Sequence, residues 1–148
     1  MLTNKGKYGL KAMVHLAGLA PGARIGVAEI AETHRIPKKF LDAILGELRN
    51  AGLVHSKKGP GGGYALARPA EEIGIGHVVR VLDGPLAPIP CASRTAYRRC
   101  DDCHDEATCA VRLAMLEVRN SIAAILDNLT LAQMRAMPLA EASLTYHI

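Results

Sequence analysis

The chain has 148 residues, 49% hydrophobic, 22% charged and only 3% aromatic, with a formal net charge of +4. This length and polarity fit one globular domain, or a small domain with an appended helix, and exclude a disordered or low-complexity chain. The core has to be aliphatic, and so thin a core tends to lean on an oligomer interface.

Helical spacing over residues 5–20 places Tyr8, Ala12, Met13, Leu16, Ala17 and Ala20 on one face, and Pro21-Gly22 closes the helix. Val27 to Thr33 reads as a short helix with Ile30 and Ala31 inward. His34-Arg35-Ile36 is a tight connection. Pro37 opens a third helix reaching about Asn50, with Leu41, Ile44, Leu45 and Leu48 as its buried stripe. Gly52 follows, as a helix C-terminus expects. Residues 53–56 and 64–67 read as two short strands around the glycine-rich Lys57–Gly63 tip. A further short helix spans 74–83. Residues 84–103, with Pro85, Pro88 and Pro90, are expected to be irregular. A long helix then runs from about Asp105 to about Leu129, with Asp105 and Glu106 at the positive end of its dipole. Thr130-x-x-Gln133 has the form of a capping box opening a last helix.

Charge is unevenly placed. Residues 1–69 carry eleven Lys/Arg against four acids, +7, while residues 70–148 carry seven Arg against ten acids, −3. A basic first half points to a polyanion partner. No export signal is visible at the N-terminus and no apolar run is long enough for a membrane span, so a cytoplasmic protein with reduced thiols is expected.

Three helices followed by a two-stranded wing is the order of a winged helix-turn-helix. The third helix carries Lys38, Lys39 and Phe40 in its first turn, where a recognition helix meets bases and phosphates. The wing offers Lys57 and Lys58 beside Gly59, Pro60, Gly61, Gly62 and Gly63, whose main chain can approach a duplex closely. No catalytic arrangement appears: there is no Gly-Lys-Ser/Thr phosphate loop, no His-Glu-x-x-His, and no nucleophile motif around any serine. The expectation is a non-enzyme.

The four cysteines, Cys91, Cys100, Cys103 and Cys109, are the only ones in the chain and fall within nineteen residues as C-x8-C-x2-C-x5-C. Crowded thiols in a reducing compartment suggest a metal or redox site. Cys-x-x-Cys is also a zinc signature, although the partner pair here is not a second Cys-x-x-Cys. Arg98 and Arg99 are placed to depress thiol pKa values.

The chain resembles the Rrf-type (IscR, NsrR and BadM-like) family of bacterial winged-helix regulators. The resemblance rests on Leu2-Thr-x-Lys-Gly-x-Tyr8, on Leu41 to Leu48, on Gly52-Leu-Val54 with Lys58-Gly-Pro-Gly-Gly-Gly-Tyr64, on the Val78–Asp83 helix, on the cysteine loop, and on Leu126-Asp-Asn-Leu-Thr-Leu131. Arg35 departs from it, standing where many relatives have Gly. The resemblance implies a mainly α fold with three parts: a winged helix-turn-helix over residues 1–83, a cysteine-bearing sensor loop over 84–104, and a dimerisation helix with tail over 105–148. It implies a homodimer on a palindromic double-stranded DNA operator. The DNA-binding set is then Thr3, Lys5, Lys7, Tyr8, Lys38, Lys39, Phe40, Lys57, Lys58, Gly59 to Gly63 and Tyr64. The dimer helix would use Leu113, Leu116, Ile122, Ile125 and Leu126.

The same resemblance implies a cysteine-ligated iron–sulfur cluster, [4Fe–4S] or [2Fe–2S], that controls a repressor by sensing iron, redox state or nitric oxide. The usual non-cysteine ligands are missing, since Lys7 and Arg112 stand at those positions. Four cysteines therefore complete the site most simply. A structural zinc, a metal-free thiol switch and a small electron-transfer protein are the alternative readings.

Overall fold

A computed structural model of the chain describes residues 2–144, and side chains up to residue 137. The end of the 105–148 segment, residues 145–148, lies outside the described residues.

Among the described residues, six helices and one two-stranded sheet form the fold: α1 (Asn4–Ala17), α2 (Val27–His34), α3 (Lys38–Asn50), β1 (Val54–Lys57), β2 (Gly63–Leu66), α4 (Ile75–Asp83), α5 (Ala110–Asp127) and α6 (Leu131–Leu144). Short 3-10 turns lie at Ala70–Glu72 and Pro90–Ala92. Thr3 caps α1: its hydroxyl accepts from the Gly6 amide at 3.3 Å. The Thr3 hydroxyl and amide in turn donate to Asp83 at the end of α4, at 2.5 and 3.0 Å. This clasp fixes the cap residue of α1 against the end of α4.

The helix α3 runs over the expected residues, and Leu41, Ile44, Leu45 and Leu48 are all fully buried. Burying an aliphatic side chain is worth about 1.5–3 kcal/mol, so this stripe anchors the helix-turn-helix. The turn before it depends on Arg35, whose φ of 53° and ψ of 44° are left-handed; it is the only non-glycine with positive φ among the described residues. His15 Nδ1 and His34 Nε2 lie 2.8 Å apart and bond α1 to the end of α2.

The strands pair antiparallel in the register Val54↔Leu66, His55↔Ala65, Ser56↔Tyr64 and Lys57↔Gly63. Each strand lies one residue from its expected place. The ladder runs out to Lys57 and Gly63 at the tip, and the Ile25 amide and carbonyl bond Tyr64 at 3.1 and 2.7 Å on the other side of β2. Gly63 has a φ of +130°, and a Cβ there would stand 2.5 Å from the Ile25 carbonyl oxygen. No other residue fits there without moving the backbone.

One correction concerns the second half. The helix α5 begins at Ala110, not near Asp105. Asp105 turns its carboxylate back on the Ala107 amide and the Thr108 hydroxyl, both at 3.0 Å, and the helix is instead capped by Cys109. The Thr130–Gln133 capping box forms as expected: the Gln133 side chain accepts from the Thr130 amide at 2.9 Å, and the Thr130 hydroxyl from the Gln133 amide at 3.1 Å. The helix α6 then folds back over the first half. Leu131 is fully buried in the same core as Met13, Leu16, Ile73 and Ile75, so the start of α6 and the first half share one aliphatic core. The architecture is mainly helical, a winged helix-turn-helix followed by a long helix.

Candidate nucleic-acid interface and cysteine site

The N-terminal turn of α3 is solvent-exposed at Lys38, Lys39 and Phe40. Phe40 meets Tyr8 of α1 edge to face, with ring centroids 5.7 Å apart, and the Lys7 ammonium lies 5.3 Å from the Tyr8 centroid. The start of α1 and the start of α3 therefore form one surface of two aromatics and several lysines. The lysines on it differ. Lys5 pairs with Glu47 of α3 at 2.7 Å, and Lys38 with Asp42 at 3.1 Å. Lys7, Lys39, Lys57 and Lys58 have no acidic partner among the described residues. Thr3 is held by Asp83 and the α1 cap, so its side chain is engaged within the fold.

The wing glycines are explained by the wing itself. Gly59 and Gly61 have positive φ with open space around them. The Gly62 amide closes the tip on the Gly59 carbonyl at 2.9 Å, and a Cβ on Gly62 would overlap the Lys57 carbonyl. Pro60 is exposed at the tip. Tyr64 is half-buried and packs on the core, anchoring the wing root. Arg24 was not singled out by the sequence. It donates from Nη1 to His55 Nδ1 at 3.0 Å, joining the α1–α2 loop to β1. Only its place in the basic half could have pointed to it.

The cysteine loop is held mainly by arginines on main-chain carbonyls. Arg112 of α5 donates from Nε to the Cys91 carbonyl at 3.1 Å and from Nη1 to the Glu106 carbonyl at 3.4 Å. Arg99 donates to the Cys103 and His104 carbonyls at 3.2 and 3.4 Å, and Arg94 to the Asn120 side chain at 3.2 Å. Cys91 sits in the 3-10 turn, 5% exposed. Cys100 is exposed and donates its thiol to Cys91 Sγ across 3.8 Å. Cys103 follows in a tight turn, its amide on the Cys100 carbonyl at 3.2 Å. Cys109 Sγ accepts from the Arg112 amide at 3.5 Å.

The Cys100 thiol is pushed up, first by its hydrogen bond to Cys91, then by desolvation and by Cys91, Asp102 and Cys109. This reverses the expectation that Arg98 and Arg99 depress it; the Arg99 guanidinium is taken up by carbonyls and lies 3.9 Å from Glu106.

The donor chemistry fits a thiophilic metal, and one pair has the right spacing. Two ligands about 2.3 Å from a tetrahedral ion stand about 3.8 Å apart, the Cys91–Cys100 separation. Among the described residues, however, no three Cys, His, Asp or Glu side chains are gathered closely enough to hold an ion. The structure joins Cys91 and Cys100 and leaves Cys103 and Cys109 apart from them.

On α5, Val111, Val118 and Ile125 are exposed by 63%, 40% and 66%, and they recur every seven residues. At 100° per residue they share one face. Of the five expected interface residues, Leu113 and Ile125 are exposed, Leu116 and Ile122 half-buried, and Leu126 packs against the core. Val111 and Val118, which the sequence did not single out, lie on the same exposed face as Ile125. At the other end of α5, Asp127 accepts two bonds from Arg80 of α4, at 2.6 and 3.0 Å. The Ile75 amide also donates to the Leu129 carbonyl, and the Leu131 amide to the Ile73 carbonyl, at 2.9 and 2.8 Å. No helix among the described residues is long and apolar enough to cross a membrane.

Known proteins share both sequence and fold with this chain. A family described as Rrf2, iron-dependent transcriptional regulator, matches residues 2–136. An rrf2-like HTH-type transcriptional regulator of Rhodobacter capsulatus is 47% identical over 140 residues, covering 92% of this chain and 93% of its own length. Among solved structures, CymR, the global cysteine regulator of B. subtilis, superposes with a TM-score of 0.76 at 30% identity, over 93% of this chain and 97% of its own. The oxidised form of Staphylococcus aureus CymR gives 0.73 at 31% identity, over 91% and 95%. The T. potens IscR gives 0.71 at 30%, over 96% and 88%. With the winged helix, the long α5 and the family match over nearly its whole length, this chain belongs to the Rrf2 family of transcriptional regulators.

Proposed function

We propose that the protein is a homodimeric repressor that binds a palindromic operator and is controlled from its cysteine loop. The observation carrying this reading is the placement of α5. One end bears Cys109 and Arg112, which holds the Cys91 carbonyl. The other end is clamped to the reading head by Arg80–Asp127 and by the Leu131–Ile73 bond. A change in the loop thus has a continuous route to α4 and the head.

The α3 start, the Tyr8–Phe40 pair and the wing lysines supply the DNA surface, with phosphate contact by Lys7, Lys39, Lys57 and Lys58. The exposed Val111, Val118 and Ile125 face on α5 favours a second copy, since apolar residues every seven positions pair helices along a seam. Cys91, Cys100, Cys103 and Cys109 would hold an iron–sulfur cluster, whose redox and ligand chemistry supplies the signal; zinc is the alternative occupant. The chain's own residues do the rest: Arg112 and Arg99 hold the loop, Cys109 caps the helix, and the Arg80–Asp127 clamp passes strain to the head. The match to a family described as iron-dependent transcriptional regulators supports a link between metal and regulation.

The test is operator binding by anaerobically purified and chelator-stripped protein, compared by fluorescence anisotropy. A coupling of about 1–3 kcal/mol, or roughly 5- to 150-fold in affinity, is expected. Equal affinities remove the sensor role. Failure to bind any duplex at low salt removes the DNA role.

A further inference from the structure

We propose that Cys91 and Cys100 are an oxidative modification site: in the reduced, metal-free protein a hydroperoxide joins them in an intramolecular disulfide, in preference to the Cys100-x-x-Cys103 pair. This goes beyond the sensor reading and does not require that the loop hold a metal.

Sequence spacing favours the Cys100–Cys103 pair, which is a common redox arrangement. The fold favours the other. Cys100 Sγ already lies 3.8 Å from Cys91 Sγ, and a disulfide needs about 2.05 Å, so closing the bond takes a displacement of less than about 2 Å. Cys103 makes no thiol contact with Cys100 among the described residues; the two are related by a main-chain turn. Arg99 fixes the Cys103 and His104 carbonyls and holds that side of the turn. The pair is also asymmetric: Cys100 is exposed to a solute, whereas Cys91 is buried.

This asymmetry assigns the steps. The exposed Cys100 sulfur attacks the near oxygen of the hydroperoxide, and its thiol proton ends on the departing oxygen. The O–O bond breaks, an alcohol (water, for hydrogen peroxide) leaves, and Cys100 becomes a sulfenic acid. The Cys91 sulfur then attacks the Cys100 sulfur, the S–O bond breaks, and the hydroxyl departs as water with the thiol proton. Two thiols lose two electrons together and the peroxide gains them. Cys91 is the residue whose carbonyl Arg112 holds, so the new bond forms at the foot of α5.

The full-length protein, reduced, stripped of metal and kept anaerobic, is treated with hydrogen peroxide and capped with N-ethylmaleimide. Trypsin then cuts at Arg80, Arg94, Arg99 and Arg112, so Cys91 lies on the 81–94 peptide and the other three cysteines on the 100–112 peptide, where tandem fragmentation reads which sulfur is linked and which are capped. Two thiols lost per chain, a linked Cys91–Cys100 peptide pair, and capped Cys103 and Cys109 are expected. Cys103→Ser should keep the link, and Cys91→Ser should leave a Cys100 sulfenic acid that dimedone captures. A Cys100–Cys103 link, a link between two chains, a sulfinic Cys100 beside capped Cys91, or four capped thiols would each overturn the proposal. None of these outcomes depends on DNA binding or metal content, so the sensor reading stands or falls separately.

Discussion

Arg112 Nε donates to the Cys91 carbonyl across 3.1 Å, tying the buried first cysteine to the helix that the last cysteine caps. A hydrogen bond from a charged donor contributes about 1.5–3 kcal/mol. Arg112→Ala should therefore raise the rate of Cys91 alkylation in the metal-free protein by roughly tenfold or more. Arg112→Lys, which can replace one of the two bonds, should fall between. Unchanged rates in quenched mass mapping would mean that the bond does not hold the loop.

Lys39 has no acidic partner among the described residues, while Lys5 is bonded to Glu47 at 2.7 Å. If Lys39 meets a phosphate, Lys39→Ala should lower the slope of log affinity against log salt by about 1. Lys5→Ala should change that slope less, and should instead cost up to about 1 kcal/mol of stability through its lost pair. Salt titrations of both variants on one operator separate the two effects.

Arg35 is held at φ 53°, where a side chain costs about 1–2 kcal/mol. Glycine removes this cost but loses about 0.5–1 kcal/mol in the flexibility of the unfolded chain. Arg35→Gly should leave the protein about 0.5–1 kcal/mol more stable, visible as a Tm rise of a few degrees. A fall in Tm would show that Arg35 makes a compensating contact.

Burial, then the nearby His15 and Lys11, lower the His34 pKa. The unfolded state therefore takes up this proton first as pH falls, and stability is lost from about pH 6.5 downward until the folded group also titrates. In urea unfolding between pH 8 and pH 5, His34→Gln should lose less stability than the parent. Parallel curves would remove His34 as a contributor to acid sensitivity.

The helix-turn-helix was legible because its signal is local. The Leu41, Ile44, Leu45 and Leu48 spacing marks one face, and both ends of α3 fall at the expected residues. The Thr130–Gln133 pair needs only three residues of chain to act, and both of its bonds form. What escaped depends on distant partners. Gly63 reads as part of a flexible tip, yet the Ile25 carbonyl, far back in sequence, stands where any side chain on it would go. Asp105 had the composition of a helix start, but its carboxylate found Ala107 and Thr108 first. Apolar residues on α5 serve two surfaces, one against the head and one outward, so periodicity merges Leu126 with Ile125. The cysteine spacing drew attention to Cys100 and Cys103, whereas the closest sulfurs are Cys100 and Cys91, a proximity that only the folded loop creates.

The return of α6 bears on how the molecule can be dissected. Leu131 fills a slot among residues from the first half, and its amide completes a ladder with Ile73. A fragment stopped at residue 104 would carry every basic group of the recognition surface, yet would open an oily hole beside α1 and strand a carbonyl on Ile73. Fusion or truncation work on this protein should retain the 131–137 stretch, either in its native place or grafted back through a permuted linkage.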